Sequence, residues 1–388
     1  MWSMNLRRRQ FIKLTASAAI FPALSLRRAP AQPLPNPAGV AAPSVSERAA
    51  MAQVARAFME KYGVPALSFA VGYAGEIVHR DAFGTADRER DEMVTPMHLF
   101  RIASVSKMVT SATVFRLIEQ GRLKLADKIF GPGGIAGTDY GRPPYNPGVD
   151  EITLEHLLTH TGGGWTNDSR DPMFTHPRMN QSELITWTLN NRPLDNPPGQ
   201  HYAYSNFGYC VLGRVIEKMT GQPYADHVRA EVLSRCGVSD MTIAGNTLEQ
   251  HQRGEVRYYG QGENPYNMDV TRMDSHGGWL ARPADIVKFM MHVDGFAKPP
   301  NILKPQTIQT MTAGSTANPG YAKGWAVNKF GNWWHSGSLP GTTTVAVRTH
   351  SGFCWAAFTN TSRASSQIDG DLDKLNWDMV GKVEHWRA

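Results

Sequence analysis

Cysteine is scarce in this 388-residue chain: Cys210, Cys236 and Cys354 are the whole complement, an odd number that excludes a fully paired disulfide framework. They read as small buried hydrophobes, with a Cys210–Cys236 bridge as the alternative. Long apolar runs are missing too. Leu14–Leu26 is too short for a permanent bilayer anchor, and no later segment is long and apolar enough to span one. No internal repeat is present. Acidic residues are absent from the first 31 positions, which hold Arg7, Arg8, Arg9, Lys13, Arg27 and Arg28. The net charge of +6 therefore belongs to this leader and the rest of the chain is neutral, so a basic nucleic-acid-binding surface is not implied.

What the leader does contain is a pattern. Arg8-Arg9-Gln10-Phe11-Ile12-Lys13 precedes the short apolar run, and Ala29-Pro30-Ala31 follows it as a small-x-small cleavage site. Residues 1–31 resemble a bacterial Tat export signal. This implies a periplasmic or secreted protein with no stable membrane anchor after cleavage. Residues 32–46, rich in proline and alanine, read as a flexible tether. From 47 to 388, with 41% hydrophobic and 19% charged residues overall, there is ample material for a core.

Helix is expected from about Glu47 to Tyr62. Ala66–Tyr73 and Glu76–Phe83, joined by Ala74-Gly75, read as a β-hairpin. An apolar helix starts at Ser104 and stops at Gly121, with Met108, Val109, Ala112, Val114, Phe115, Leu117 and Ile118 nearly all round it. Further helices are expected over Ile152–His160, Asn206–Gly221 and Pro283–Val293. Strand signals return at Gly324–Val327, Thr342–Arg348 and Phe353–Thr359, before a last helix from about Asp371. Strands at both ends with helices between predict an α/β (α+β type) fold. In it a mixed, largely antiparallel sheet is built from both chain ends and flanked by helices, with an inserted helical lobe. The sheet lobe covers about 47–103 and 275–388, the helical lobe about 104–274.

The chemistry-bearing residues cluster around Phe100–Lys107. Ser104 and Lys107 are three apart on a helix and share a face, whereas Ser106 points elsewhere. A serine hydroxyl needs a neighbouring base and donors for the oxyanion, and a helix start offers both. Tyr204 and Asn206 flank a loop-to-helix junction and can project into one cleft. A nearby Lys107 ammonium is expected to lower the Tyr204 pKa, making the phenolate a proton acceptor. Of three His-x-Gly triplets, at His160, His276 and His335, only the last leads into strand-forming sequence, and it is the choice for a third group. His156 and His160 are four apart, a metal-ligand spacing, but leucine follows His156 where a metalloprotease has its glutamate base. Trp165, Trp279, Trp325, Trp333 and Trp334 lie near these segments and suit either an acyl pocket or core packing.

Ser104-x-x-Lys107, Tyr204-Ser205-Asn206 and His335-Ser336-Gly337, in that order, resemble the three motifs of the class C β-lactamase and penicillin-binding-protein-like serine hydrolases. L-L-T-H-T-G-G, P-P-G-Q-H-Y-A-Y-S-N-F-G-Y, Gly277-Gly278-Trp279-Leu280 and Gly324-Trp325 extend the likeness from about Ala49 to Thr361. The resemblance implies that Ser104 is acylated while Lys107 and Tyr204 relay its proton. It implies that Asn206 holds substrate amide or polar groups, that His335 hydrogen-bonds near the tyrosine or substrate, and that Ser336, Gly337 and Ser338 line the site. The oxyanion would face the N–H groups of Ser104 and Ser338. No metal or organic cofactor is implied. The expected substrate is a small ester, amide or peptide; a true β-lactamase, a DD-carboxypeptidase and a non-catalytic binding protein on the same fold are the alternatives.

Overall fold

The computed structural model describes residues 42–362, 367–384 and 386. The leader, and the tether through residue 41, lie outside the described residues. Helix begins earlier than expected. The Ser44 hydroxyl accepts from the Glu47 N–H while the Glu47 carboxylate accepts from the Ser44 N–H, a reciprocal cap that starts α1 (Val45–Tyr62) inside the expected tether.

In chain order there follow β1 (Ala66–Tyr73), β2 (Glu76–Asp87), β3 (Glu92–Met93), β4 (Phe100–Arg101), a 3-10 turn Ala103–Val105 and α2 (Ser106–Glu119). The middle of the chain is helical: α3 (Leu154–Leu158), α4 (Pro172–Thr175), α5 (Gln181–Asn191), α6 (Asn206–Thr220) and α7 (Tyr224–Val228). Then come β5 (Thr242–Ile243), β6 (Trp279–Ala281), α8 (Pro283–Met291), α9 (Pro305–Thr312), β7 (Ala326–Val327), β8 (Trp333–Leu339), β9 (Thr342–Arg348), β10 (Phe353–Thr359) and α10 (Ile368–Val380).

The main sheet has the order β3-β2-β1-β10-β9-β8-β7, so strands from the two chain ends lie side by side at β1 and β10. Every pairing in it is antiparallel. Alternation along β1 sorts its faces. Leu67, Phe69, Val71 and Tyr73 pack with Phe353, Trp355, Leu372 and Met379 beneath α1 and α10. Ala66, Ala70 and Gly72 face α8, and small residues are required there: a Cβ on Gly72 would sit 2.5 Å from Val287 Cγ1. Three layers result, with about 1.5–3 kcal/mol contributed by each large side chain fully buried between them.

A second sheet, β4-β6-β5, was not anticipated. Its strands are two or three residues long, too short to show periodicity. It matters because Phe100 and Arg101 pair with Ala281 and Leu280, and the Ile102 N–H donates to Trp279 O at 3.0 Å, fixing the chain just before Ser104. Cys210, Cys236 and Cys354 are free and buried, so Cys210 and Cys236 do not pair.

Candidate active site

Ser104 sits on the 3-10 turn rather than on the α-helix, preceded by Ala103 in the left-handed region at φ 48°. That conformation costs a non-glycine residue about 1–2 kcal/mol, and the sheet over-determines it. Thr342 Oγ1 donates to Arg101 O at 2.9 Å, and Thr344 Oγ1 to Ile102 O at 2.9 Å. Against this turn lies β8, and Gly337 permits the approach: a Cβ there would be 2.9 Å from Ser104 N. Because β7 pairs with β8 only at Trp333 and Trp334, the β8 edge from His335 to Leu339 has no strand partner among the described residues. Gly337 is buried, Ser336 half-buried and Ser338 exposed.

Lys107 enters from the first turn of α2, an environment of buried Met108, Val109, Ala112 and Phe115, and is itself 0% exposed. Its Nζ lies 3.0 Å from Ser104 Oγ, 2.9 Å from Asn206 Oδ1 and 2.9 Å from His276 O. Desolvation holds its pKa well below the usual lysine value, outweighing the attraction of Asp171. Once it has lost its proton, this amine has two hydrogens and one lone pair. Asn206 Oδ1 and the His276 carbonyl carry no hydrogen and can only accept, so they take both N–H bonds. The lone pair is left facing the Ser104 hydroxyl, the orientation a general base needs.

Tyr204 is held in place by loop-to-loop hydrogen bonds. Its carbonyl accepts from Asn167 N–H at 2.7 Å, and the next residue, Ser205, caps α6 by accepting from Gly208 N–H while donating to Trp165 O. The phenol hydrogen-bonds to Ser104, and the Lys107 Nζ lies 4.9 Å from its ring. The expected phenolate is corrected here. Burial drives the Tyr204 pKa up, against a smaller opposing effect of Ser104, and the same burial disfavours an ammonium at Lys107. Tyr204 is therefore a protonated donor to Ser104 Oγ.

His335 is buried on β8, its ring centroid 6.2 Å from that of Tyr204. It does not stand alone. Its Nδ1–H donates to Ser336 O at 2.6 Å, and its Nε2 is 3.1 Å from the Tyr321 hydroxyl, which is 3.1 Å from His160 Nε2. His160 Nδ1 in turn accepts from Ser205 N–H at 3.1 Å. These bonds fix both tautomers: His160 donates to Tyr321, and Tyr321 donates to His335. Burial pushes the His335 pKa down to about 3, so the third group is uncharged.

The structure thus brings Ser104, Lys107, Tyr204, Asn206 and His335 together. Asn206 Oδ1 faces Lys107 and its Nδ2 donates to Asp171 Oδ2 at 3.2 Å. Ser106 is fully buried away from the site. Three participants escaped the reading of the sequence: Asp171, the His276 carbonyl, and the His160–Tyr321 pair. His160 was visible only as one of the His-x-Gly triplets and through its spacing from His156. His156 Nδ1 accepts from the Thr153 N–H at 3.2 Å in the cap of α3, and both ring nitrogens of His160 are engaged by Tyr321 and Ser205. Among the described residues no group of three or more His, Cys, Asp or Glu is arranged to hold a metal ion. Trp165, Trp279 and Trp325 are core side chains, Trp325 stacked on Phe289, and Trp334 packs on the α1/α10 side of the sheet.

Known proteins share this arrangement of elements. The D-amino acid amidase from Ochrobactrum anthropi SV3 superposes with a TM-score of 0.71 at 22% identity, covering 87% of this chain and 98% of that one. Esterase EstB of Burkholderia gladioli is 30% identical over 222 residues, 52% of this chain and 53% of its own. Protein flp of Staphylococcus aureus strain MW2 is 23% identical over 288 residues, 72% of this chain and 56% of its own. The chain spans about half the length of these curated relatives. The Beta-lactamase family model matches residues 51–375, most of the sequence and all of the site just described, and the chain belongs to the Beta-lactamase family.

Proposed function

We propose that the protein is a serine hydrolase that cleaves neutral esters or amides through an acyl-enzyme. The observation that carries this reading is the contact set of Lys107: its Nζ lies 3.0 Å from Ser104 Oγ and its two other partners can only accept, so the deprotonated amine turns its lone pair to that hydroxyl. Lys107 takes the Ser104 proton as the Ser104 Oγ–carbonyl carbon bond forms. The oxyanion is held by the Ser104 and Ser338 N–H groups. Tyr204, kept protonated by burial, passes its proton to the leaving oxygen or nitrogen as that bond breaks, and the Lys107 ammonium returns a proton to Tyr204. Water then attacks the acyl carbon by the same relay and frees Ser104.

Neutral substrates are favoured because the third motif carries His335, uncharged above a pKa of about 3, where a permanent cation would attract a substrate carboxylate. The esterase and amidase among the relatives act on the same two bond types. The test is turnover of p-nitrophenyl esters, D-aminoacyl amides and a chromogenic cephalosporin, with fluorophosphonate labelling. Label on Ser106→Ala and none on Ser104→Ala supports the reading; the reverse, or a cephalosporin kcat/KM equal to that of the best ester or amide, overturns it. We further propose export in the folded state, which rests on Arg8 and Arg9 ahead of the short apolar run. Changing both to lysine is expected to leave precursor in the cytoplasm, and unaltered delivery would refute this.

A further inference from the structure

Asp171 is 0% exposed and lies in a loop 35 residues before Asn206. Its Oδ1 accepts from the Met173 N–H at 2.8 Å, capping α4, and its Oδ2 accepts from Asn206 Nδ2 at 3.2 Å. A carboxamide has an accepting end and a donating end, and nothing in its shape selects between them. Here one neighbour of Asn206 is a carboxyl group and the other is Lys107 Nζ at 2.9 Å. An ionised carboxylate only accepts, so it draws the NH2 end toward itself and turns Oδ1 toward the amine.

We propose that Asp171 is a positioning residue: by fixing which way the Asn206 carboxamide faces, it keeps the Lys107 lone pair aimed at Ser104 Oγ. The role deepens the hydrolase reading of the same site and, for its consequence in turnover, rests on it. If Asn206 were reversed, its NH2 would donate to Lys107 and occupy the lone pair that must receive the serine proton. The mechanism needs nothing beyond the groups present, and the reversal is isosteric.

The charge on Asp171 gives the device a pH dependence. Burial raises its pKa to about 7, opposed by the hydrogen bonds from Met173 and Asn206. Facing it are Asp168 on its own loop, Cys210 on α6, Arg272 from the 271–273 turn and Lys107 on α2. Facing Lys107 are also His160, His276 and His335, all held neutral by burial, and Tyr204. Above about pH 7 the ionised carboxylate dictates the amide's orientation; below it the protonated group also donates, and the constraint is lost.

Asp171→Asn keeps the cap on α4, since asparagine also accepts from Met173 N–H, but offers an NH2 group to Asn206 and reverses it. Expected results with p-nitrophenyl acetate are a kcat at least tenfold lower, KM within twofold, and no fall of kcat through pH 7 of the kind the wild-type shows. The double variant Asp171→Asn/Asn206→Asp restores the polarity with a carboxylate directly on Lys107. It is expected to recover activity over the single variant and to move the acid limb to higher pH. A readout that needs no substrate is the titration of the Lys107 13Cε resonance, assigned with Lys107→Arg: its pKa should fall in Asp171→Asn and rise in the double variant. If Asp171→Asn does not accumulate, the double variant carries the test alone. Unchanged lysine titration and unchanged kcat profile in these variants overturn the proposal. Wild-type protein lacking Ser104-dependent turnover while the lysine titrations shift as stated overturns the hydrolase reading only.

Discussion

Replacing Gly337 by alanine adds one methyl group at the closest approach between sheet and nucleophile. The new Cβ would fall 2.5 Å from Ile102 O, 2.5 Å from Thr344 Oγ1 and 2.9 Å from Ser104 N, where real Cβ atoms essentially never come within 3.0 Å. Thr344 has a side chain that can turn, at the cost of its bond to Ile102 O. Ile102 and Ser104 present backbone, and Ile102 is tied to Trp279 through its own N–H. The strand and the serine turn must therefore part by at least about half an ångström. Overpacking of this kind costs about 1–3 kcal/mol. A shift of about 1 Å at reacting groups costs on the order of 10²-fold in rate, so this one is expected to lower kcat by about 10- to 100-fold. The assay is steady-state hydrolysis of a p-nitrophenyl ester beside thermal unfolding. Gly162→Ala is the control, because its nearest neighbour would be Leu157 Cδ2 at 3.7 Å, ordinary contact. Wild-type kcat and Tm in Gly337→Ala would refute the claim that this glycine sets the distance between β8 and Ser104.

Tyr321→Phe removes the hydroxyl shared by His160 and His335 and leaves two buried Nε2 atoms without it; at about 1–3 kcal/mol for each orphaned group, denaturant unfolding should report a clear loss of stability, with turnover reduced as well. His335→Lys places an ammonium in the third motif, and the ratio of cephalosporin to ester kcat/KM should rise by about tenfold, equivalent to about 1.4 kcal/mol; an unchanged ratio would put carboxylate discrimination elsewhere. Gly370→Ala in α10, where an added Cβ meets nothing within 4 Å, should stabilise the fold by about 0.5–1 kcal/mol and leave kinetics untouched.

The long elements were legible because each writes a period into the sequence. The β1–β2 hairpin, α6 and the paired strands β9 and β10 appear where the alternation of apolar residues and the turn glycines put them. The site was legible where its partners are close in sequence, as Ser104 and Lys107 are, or where a motif repeats a family pattern. What stayed hidden depends on burial and on contacts between distant segments. No local spacing marks Asp171, whose significance lies in Asn206, or Tyr321, which links two histidines 175 positions apart. The charge state of Tyr204 was misjudged for the same reason. Proximity suggests an ammonium beside a phenolate, but full desolvation of both favours an amine beside a phenol.

The pairing of β1 with β10 has a consequence for how the protein comes into being. Phe69 lies opposite Ala357, so the apolar strand that will be covered by the end of the chain must wait for about 290 residues to be made. At about 5–20 residues per second that is roughly a quarter of a minute to a minute on the ribosome. During that interval Leu67, Phe69 and Val71 present an unpaired strand edge and a greasy face, the combination most open to misassembly. The same delay is a safeguard. Ser104 emerges early, but β8, which closes against it, is translated only with residues 333–339, and an unfinished chain therefore carries a serine without the wall that would make it reactive.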